Sequence, residues 1–124
     1  LICKKSAKRC SIEERKQFER MAKDFNKAAK DKNEKLFLKV DKEFNDLTIR
    51  AAKNEFASKA LSMLHGMSRR FWFVYHQSQD DAESGKLHAN LALSIAKGDS
   101  NAAEEASDKL FDSLEKFVHQ TLSR

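Results

Sequence analysis

Asn33 to Lys53 reads NEKLFLKVDKEFNDLTIRAAK, and the spacing of its apolar residues decides the fold. Phe37, Val40, Phe44 and Thr48 recur at three- or four-residue intervals, the period of an amphipathic helix. Stepping about 100° per residue, Lys35, Lys39, Lys42, Glu43, Asp46, Arg50 and Lys53 fall on one solvent-facing arc. Past the first turn a single charge lies outside that arc. It is Asp41, with Asn45 one turn further along the same face, and both are bracketed by Phe37, Leu38, Val40, Phe44, Thr48 and Ile49.

Working outward, the same period recurs along the chain. Leu1 to Arg9 reads as the tail of a helix, and Ser11 with Glu14 has capping-box spacing and opens a helix from about Ile12 to Ala29. Phe18, Met21, Phe25 and Ala29 mark its buried stripe. The polar run Lys30-Asp31-Lys32-Asn33 turns the chain, with Asp31 as the expected cap of the next helix and Asn54 as its expected stop. A further helix, Glu55 to about Gln77, carries Phe56, Ala60, Leu64, Met67, Phe71 and Val74. Gln77 to Ser84 reads as a polar connection, followed by a helix from Asp81 or Gly85 to Lys97. Gly98-Asp99 turns the chain into a last helix, Ser100 to about Leu122, with Ala103, Ala106, Leu110, Leu114, Phe117 and Val118 inward.

Composition agrees with this reading. The chain has 124 residues, no proline and three glycines, so little interrupts long helices. The expected fold is all-α, an antiparallel bundle of about six helices in a single domain spanning residues 1–124. The net charge of +5 arises from 24 basic and 19 acidic residues mixed along the chain, as on solvated helix faces. A basic cluster at Lys4, Lys5, Lys8 and Arg9 lacks the interleaved aromatics of a single-strand binder. Cys3 and Cys10 on one helix would stand about 10 Å apart, too far for a disulfide, which implies a reducing, cytoplasmic setting. No apolar run approaches the roughly 20 residues of a membrane span.

Asp41 needs a partner, because a carboxylate among apolar neighbours costs several kcal/mol unless it is paired, hydrogen-bonded or bound to a cation. Two readings stay open: hydrogen bonds from a neighbouring arginine or helix terminus, or a polar pocket. His88 repeats the pattern, with Leu87, Leu91, Ala92 and Ile95 around it and Lys86, Asn90 and Lys97 on the wet side. It reads either as a satisfied core histidine or as a ligand, since bundles build sites from inward polar side chains on facing helices. His65 and Arg69 form an i, i+4 pair at the edge of an apolar face, where arginine suits a planar carboxylate or a surface ion pair.

Val40-Asp41-Lys42-Glu43-Phe44-Asn45 through Ala52 and Asn54, then Leu87-His88 with Ile95-Ala96-Lys97-Gly98-Asp99 and Ala102-Ala103, resembles the C-terminal effector domain of GntR-type transcriptional regulators. Within these it is similar to the FadR branch, the FCD domain. The likeness spans nearly the whole chain, including Ala7 to Glu14, and its specificity lies in the order and spacing of short motifs. In many members an aspartate, a histidine four residues later and two further histidines hold a divalent metal that orients an organic-acid effector. Carried over by position, Asp41 matches the aspartate and His88 the second histidine. Asn45 stands at the first histidine, and Leu110 occupies the place of the third, where leucine cannot ligate.

The resemblance therefore implies either zinc or nickel on an incomplete set of Asp41, Asn45 and His88, or an effector held directly by Asp41, Asn45, His65, Arg69 and His88. It further implies a homodimer, a small-molecule carboxylate as partner, and contact with DNA only through a winged-helix domain preceding Leu1, so that the chain is a fragment of a longer protein. The competing reading is a stand-alone helical interaction module that docks another chain through Phe71, Trp72, Phe73 and Tyr75. No enzyme is expected: no glycine-rich phosphate loop, zincin-type pair or cysteine-histidine motif is present, and Asp41 with His88 lacks a nucleophile.

Overall fold

The computed structural model describes residues 2–53, 67, 70, 71, 74, 75 and 78–123. Among these there is no strand, and five helices are delimited: α1 (Ile2–Arg9), α2 (Ile12–Asp31), α3 (Glu34–Ala52), α4 (Ser78–Ala96) and α5 (Ser100–Leu122). The all-α bundle expected from periodicity is present, with five helices delimited among the described residues where about six are expected in the whole chain. The expected helix from Glu55 to Gln77 falls mostly outside the described residues, although Met67, Arg70, Phe71, Val74 and Tyr75 are each helical. Met67 and Val74 are exposed, while Phe71 is half-buried with its ring edge-on to Phe117.

Local signals set several boundaries. At the start of α2 the Ser11 hydroxyl accepts the Glu14 amide and the Glu14 carboxylate accepts the Ser11 amide, at 3.1 and 2.8 Å, forming the expected capping box. Its other end differs from expectation. The helix continues to Asp31, Lys32 takes a left-handed conformation (φ 52°), and Asn33, not Asp31, caps α3 by accepting the Leu36 amide. Asp31 is the last helical residue, so the first extended backbone from which a cap can reach forward belongs to Asn33. Gly98, with φ of 71°, ends α4, and Asp99 caps α5.

The polar connection expected over Gln77 to Ser84 is helical from Ser78 onward. Tertiary packing explains the difference, because α2 and α4 share the most extensive contact in the bundle. A Cβ on Gly85 would lie 2.6 Å from Ala29 Cβ, so glycine permits that approach, and Ser84 beside it is buried. Phe18, Phe25, Val40, Leu47, Leu91 and Ile95 fill the core between α2, α3 and α4.

Helix α1 lies beside α3 and α5. Ser6 meets Thr48 and Arg9 meets Ala52, so α1 and α3 run parallel with their C-termini together. Both cysteines are free thiols; Cys10 is buried against the Ile95 carbonyl, and burial raises the Cys3 thiol pKa, partly opposed by its hydrogen bond with Ser107. Among the described residues no helix is long and apolar enough to cross a membrane.

Candidate functional site

Asp41 is delivered inward by the register of α3: Phe37, Val40, Phe44 and Leu47 are buried around it, so its side chain cannot turn to solvent without unwinding the helix. His88 is delivered by α4, whose Leu91, Ala92 and Ile95 seat it against the core. The two side chains meet. His88 Nε2 lies 3.1 Å from Asp41 Oδ1, and only 12% and 11% of the two side chains remain exposed. Among the described residues the partner that Asp41 meets is the imidazole of the other candidate residue, not an arginine or a helix terminus. Asn45 Nδ2 approaches the same carboxylate oxygen at 3.5 Å, a long contact at the limit of a hydrogen bond.

The far side of the imidazole is also fixed. His88 Nδ1 lies 2.7 Å from the Ser84 carbonyl oxygen, which can only accept, so Nδ1 carries a hydrogen and donates it. The Ser84 hydroxyl is a second neighbour at 3.3 Å. With Nδ1 committed, Nε2 faces a carboxylate oxygen, and the contact is favourable when one proton lies between them. The contact lies in a low-water environment, where such hydrogen bonds are strong.

Among the described residues three phenylalanine rings surround the imidazole. The Phe25, Phe37 and Phe44 rings stand 4.9, 5.3 and 6.3 Å from the His88 ring, the last two edge-on. Phe37 and Phe44 flank Asp41 in sequence, but Phe25 arrives from α2 and Ser84 from a stretch that reads as a loop. The i, i+4 spacing of Ser84 and His88 is the only sequence signal for that contact, and it has meaning only once α4 extends through Ser84.

Of the residues expected at the site, Asp41, Asn45 and His88 come together, whereas His65 and Arg69 lie outside the described residues. Asp41 and His88 themselves are in direct contact, with no space between their side chains. A shallow concavity lined by Ala28, Lys32, Asn33 and Phe37 sits at the α2–α3 turn and is too small to enclose a water.

The separation of 3.1 Å matches what two neighbouring ligands of one first-row metal ion, each about 2.0–2.2 Å from it, would show. The donor set nevertheless stops short. Among the described residues no three His, Cys, Asp or Glu side chains converge, Asn45 offers only an amide, and Leu110 is a half-buried hydrocarbon. A tight zinc or nickel site asks for about three protein donors, so the residues described here do not fit a resident metal.

A family model described as the FCD domain matches residues 1–113. No curated protein and no solved structure matches the chain.

Proposed function

We propose that this chain, which belongs to the FCD domain family, the C-terminal effector-binding domain of GntR-family regulators, senses a small organic acid or similar metabolite at the Asp41–His88 couple. The observation that carries this reading is the meeting of Asp41 and His88, from two different helices, at 3.1 Å in a nearly dry setting. A carboxylate ligand can take the Nε2 hydrogen bond of His88 in place of Asp41, while Asn45 and, beyond the described residues, His65 and Arg69 supply further donors. The phenylalanine surround excludes water and strengthens each such bond.

Such a ligand separates Asp41 from His88, and so favours one arrangement of α3 against α4 over another. A ligand shifts an equilibrium only by its differential affinity for the two states, and here that difference lies in the couple being open or closed. The protein acts as a cytoplasmic homodimer, and DNA is contacted through a separate winged-helix domain of the full-length regulator. No covalent chemistry is assigned to it.

A thermal-shift screen of organic acids, amino acids and divalent ions tests the reading, because a ligand specific to the native state raises its stability by mass action. The expected result is stabilisation by a carboxylate that is lost in Asp41→Asn and His88→Gln. Carboxylates that stabilise both variants as well as the parent would overturn it.

A second reading draws on Met67, Val74 and Tyr75, which present exposed apolar surface on helical backbone. It makes the chain a helical module that docks another protein. Size-exclusion at several concentrations separates the two, since a monomer throughout speaks against the homodimeric regulator.

A further inference from the structure

The C-termini of α1 and α3 are fastened to each other from both sides. Arg9 Nη1 donates to the Ala52 carbonyl at 2.8 Å, while Lys53 Nζ donates to the Arg9 carbonyl, also at 2.8 Å. Each helix thus receives a cation on its terminal carbonyls, which have no partner within their own helix and carry the negative end of the helix dipole. One turn inward, the fully buried Ser6 hydroxyl donates to the Thr48 carbonyl at 2.5 Å, and the Thr48 hydroxyl donates to the Phe44 carbonyl at 2.6 Å.

The acceptors in α3 are Phe44, Thr48 and Ala52, at i, i+4 and i+8, so they form one line along one face. Asp41, three residues before Phe44, lies on the same face, and the Phe44 ring stands edge-on to the His88 ring. The face of α3 that carries the couple is the face that carries the clasp.

We propose that this reciprocal clasp makes the attachment of α1 depend on the state of the Asp41–His88 couple, so that α1 is the element through which the site is felt elsewhere in the protein. The inference rests on the couple being the effector site. Helix α3 moves as a rod, and hydrogen bonds weaken steeply once their geometry is lost. A shift of α3 that opens the couple therefore draws the Thr48 and Ala52 carbonyls away from Ser6 and Arg9. Arg9 and Lys53 are exposed, so the outer half of the clasp can release while the core stays packed.

Hydrogen–deuterium exchange on the whole chain tests this without a ligand. The Cys10 amide, bonded to the Ser6 carbonyl, reports on the end of α1. Asp41→Asn is expected to accelerate exchange at the end of α1 several-fold more than in the first turns of α2, and Asp46→Asn, on the exposed face of α3, to leave both unchanged. Arg9→Ala is expected to accelerate the same α1 amides, and Asp41→Asn added to it to produce no further local change; Lys53→Ala, also at an exposed position, serves as an independent second variant. Uniform acceleration across the protein, or additive effects of the two substitutions, would overturn the clasp. Exchange coupling with no carboxylate response in the thermal screen would instead overturn the effector reading and leave the clasp standing.

Discussion

Gly85 of α4 rests on Ala29 of α2 so closely that a methyl group on the glycine would stand 2.6 Å from the alanine Cβ and 3.3 Å from the Phe25 carbonyl oxygen. The contact fixes how deeply α4 sits on α2, and with it the position of His88 three residues later against the Phe25 ring. Gly85→Ala gains about 1 kcal/mol of helix propensity but overpacks a site with no room to give, at a cost of about 1–3 kcal/mol. Urea unfolding is expected to show a net loss of stability. A stabilised variant would mean that α2 and α4 separate without consequence.

Removing one member of the couple leaves the other buried without its closest ionisable partner. Asp41→Ala and His88→Ala are each expected to cost about 3–5 kcal/mol, the usual penalty for stranding a buried charge. The double variant should lose less than the sum, because the second substitution removes a group that the first has already stranded. A double-mutant cycle by urea denaturation measures the coupling, and strict additivity would show that the 3.1 Å contact contributes nothing.

Divalent ions should act weakly on the parent chain, because Asp41 and His88 are the strong donors and Asn45 and Leu110 add none. Supplying the family's histidines with Asn45→His and Leu110→His together is expected to create stabilisation by zinc or nickel that a chelator reverses. The check is the melting temperature with each ion and with chelator. A strong chelator-reversible response in the parent would show a donor outside the described residues.

Lys4 and Glu104 join α1 to α5 through a 3.0 Å ion pair, and the Lys4 hydrogen bond and charge hold the Glu104 carboxyl below the ordinary carboxylate range. A depressed folded-state pKa contributes stability above the unfolded value, near 4.3, and loses it as pH falls through the lower folded value. Lys4→Met should therefore destabilise the protein slightly at about pH 7 and leave it unchanged at low pH, with the difference shrinking in high salt. Urea midpoints for both chains across that pH range check the sign.

The family was legible in the sequence because its motifs are short-range and ordered. The inward placement of Asp41 and His88 was legible too, since each follows from the register of its own helix. That they touch was not, because nothing local relates a position in α3 to one in α4. Ser84 and Phe25 escaped notice because one lies in a stretch that reads as a connection and the other reads simply as core.

Sequence alone determined what is settled within about one helical turn: the Ser11–Glu14 capping box, the Gly98–Asp99 reversal, and which side of α3 carries its acid. These depend on contacts between residues three or four apart, which a linear string displays. Tertiary structure decided that the polar stretch before Gly85 is helical, that Asp41 is answered by His88, and that α1 and α3 cap each other through Arg9 and Lys53. Each of those depends on the distance between helices, which packing sets through the volumes of side chains far apart in the chain.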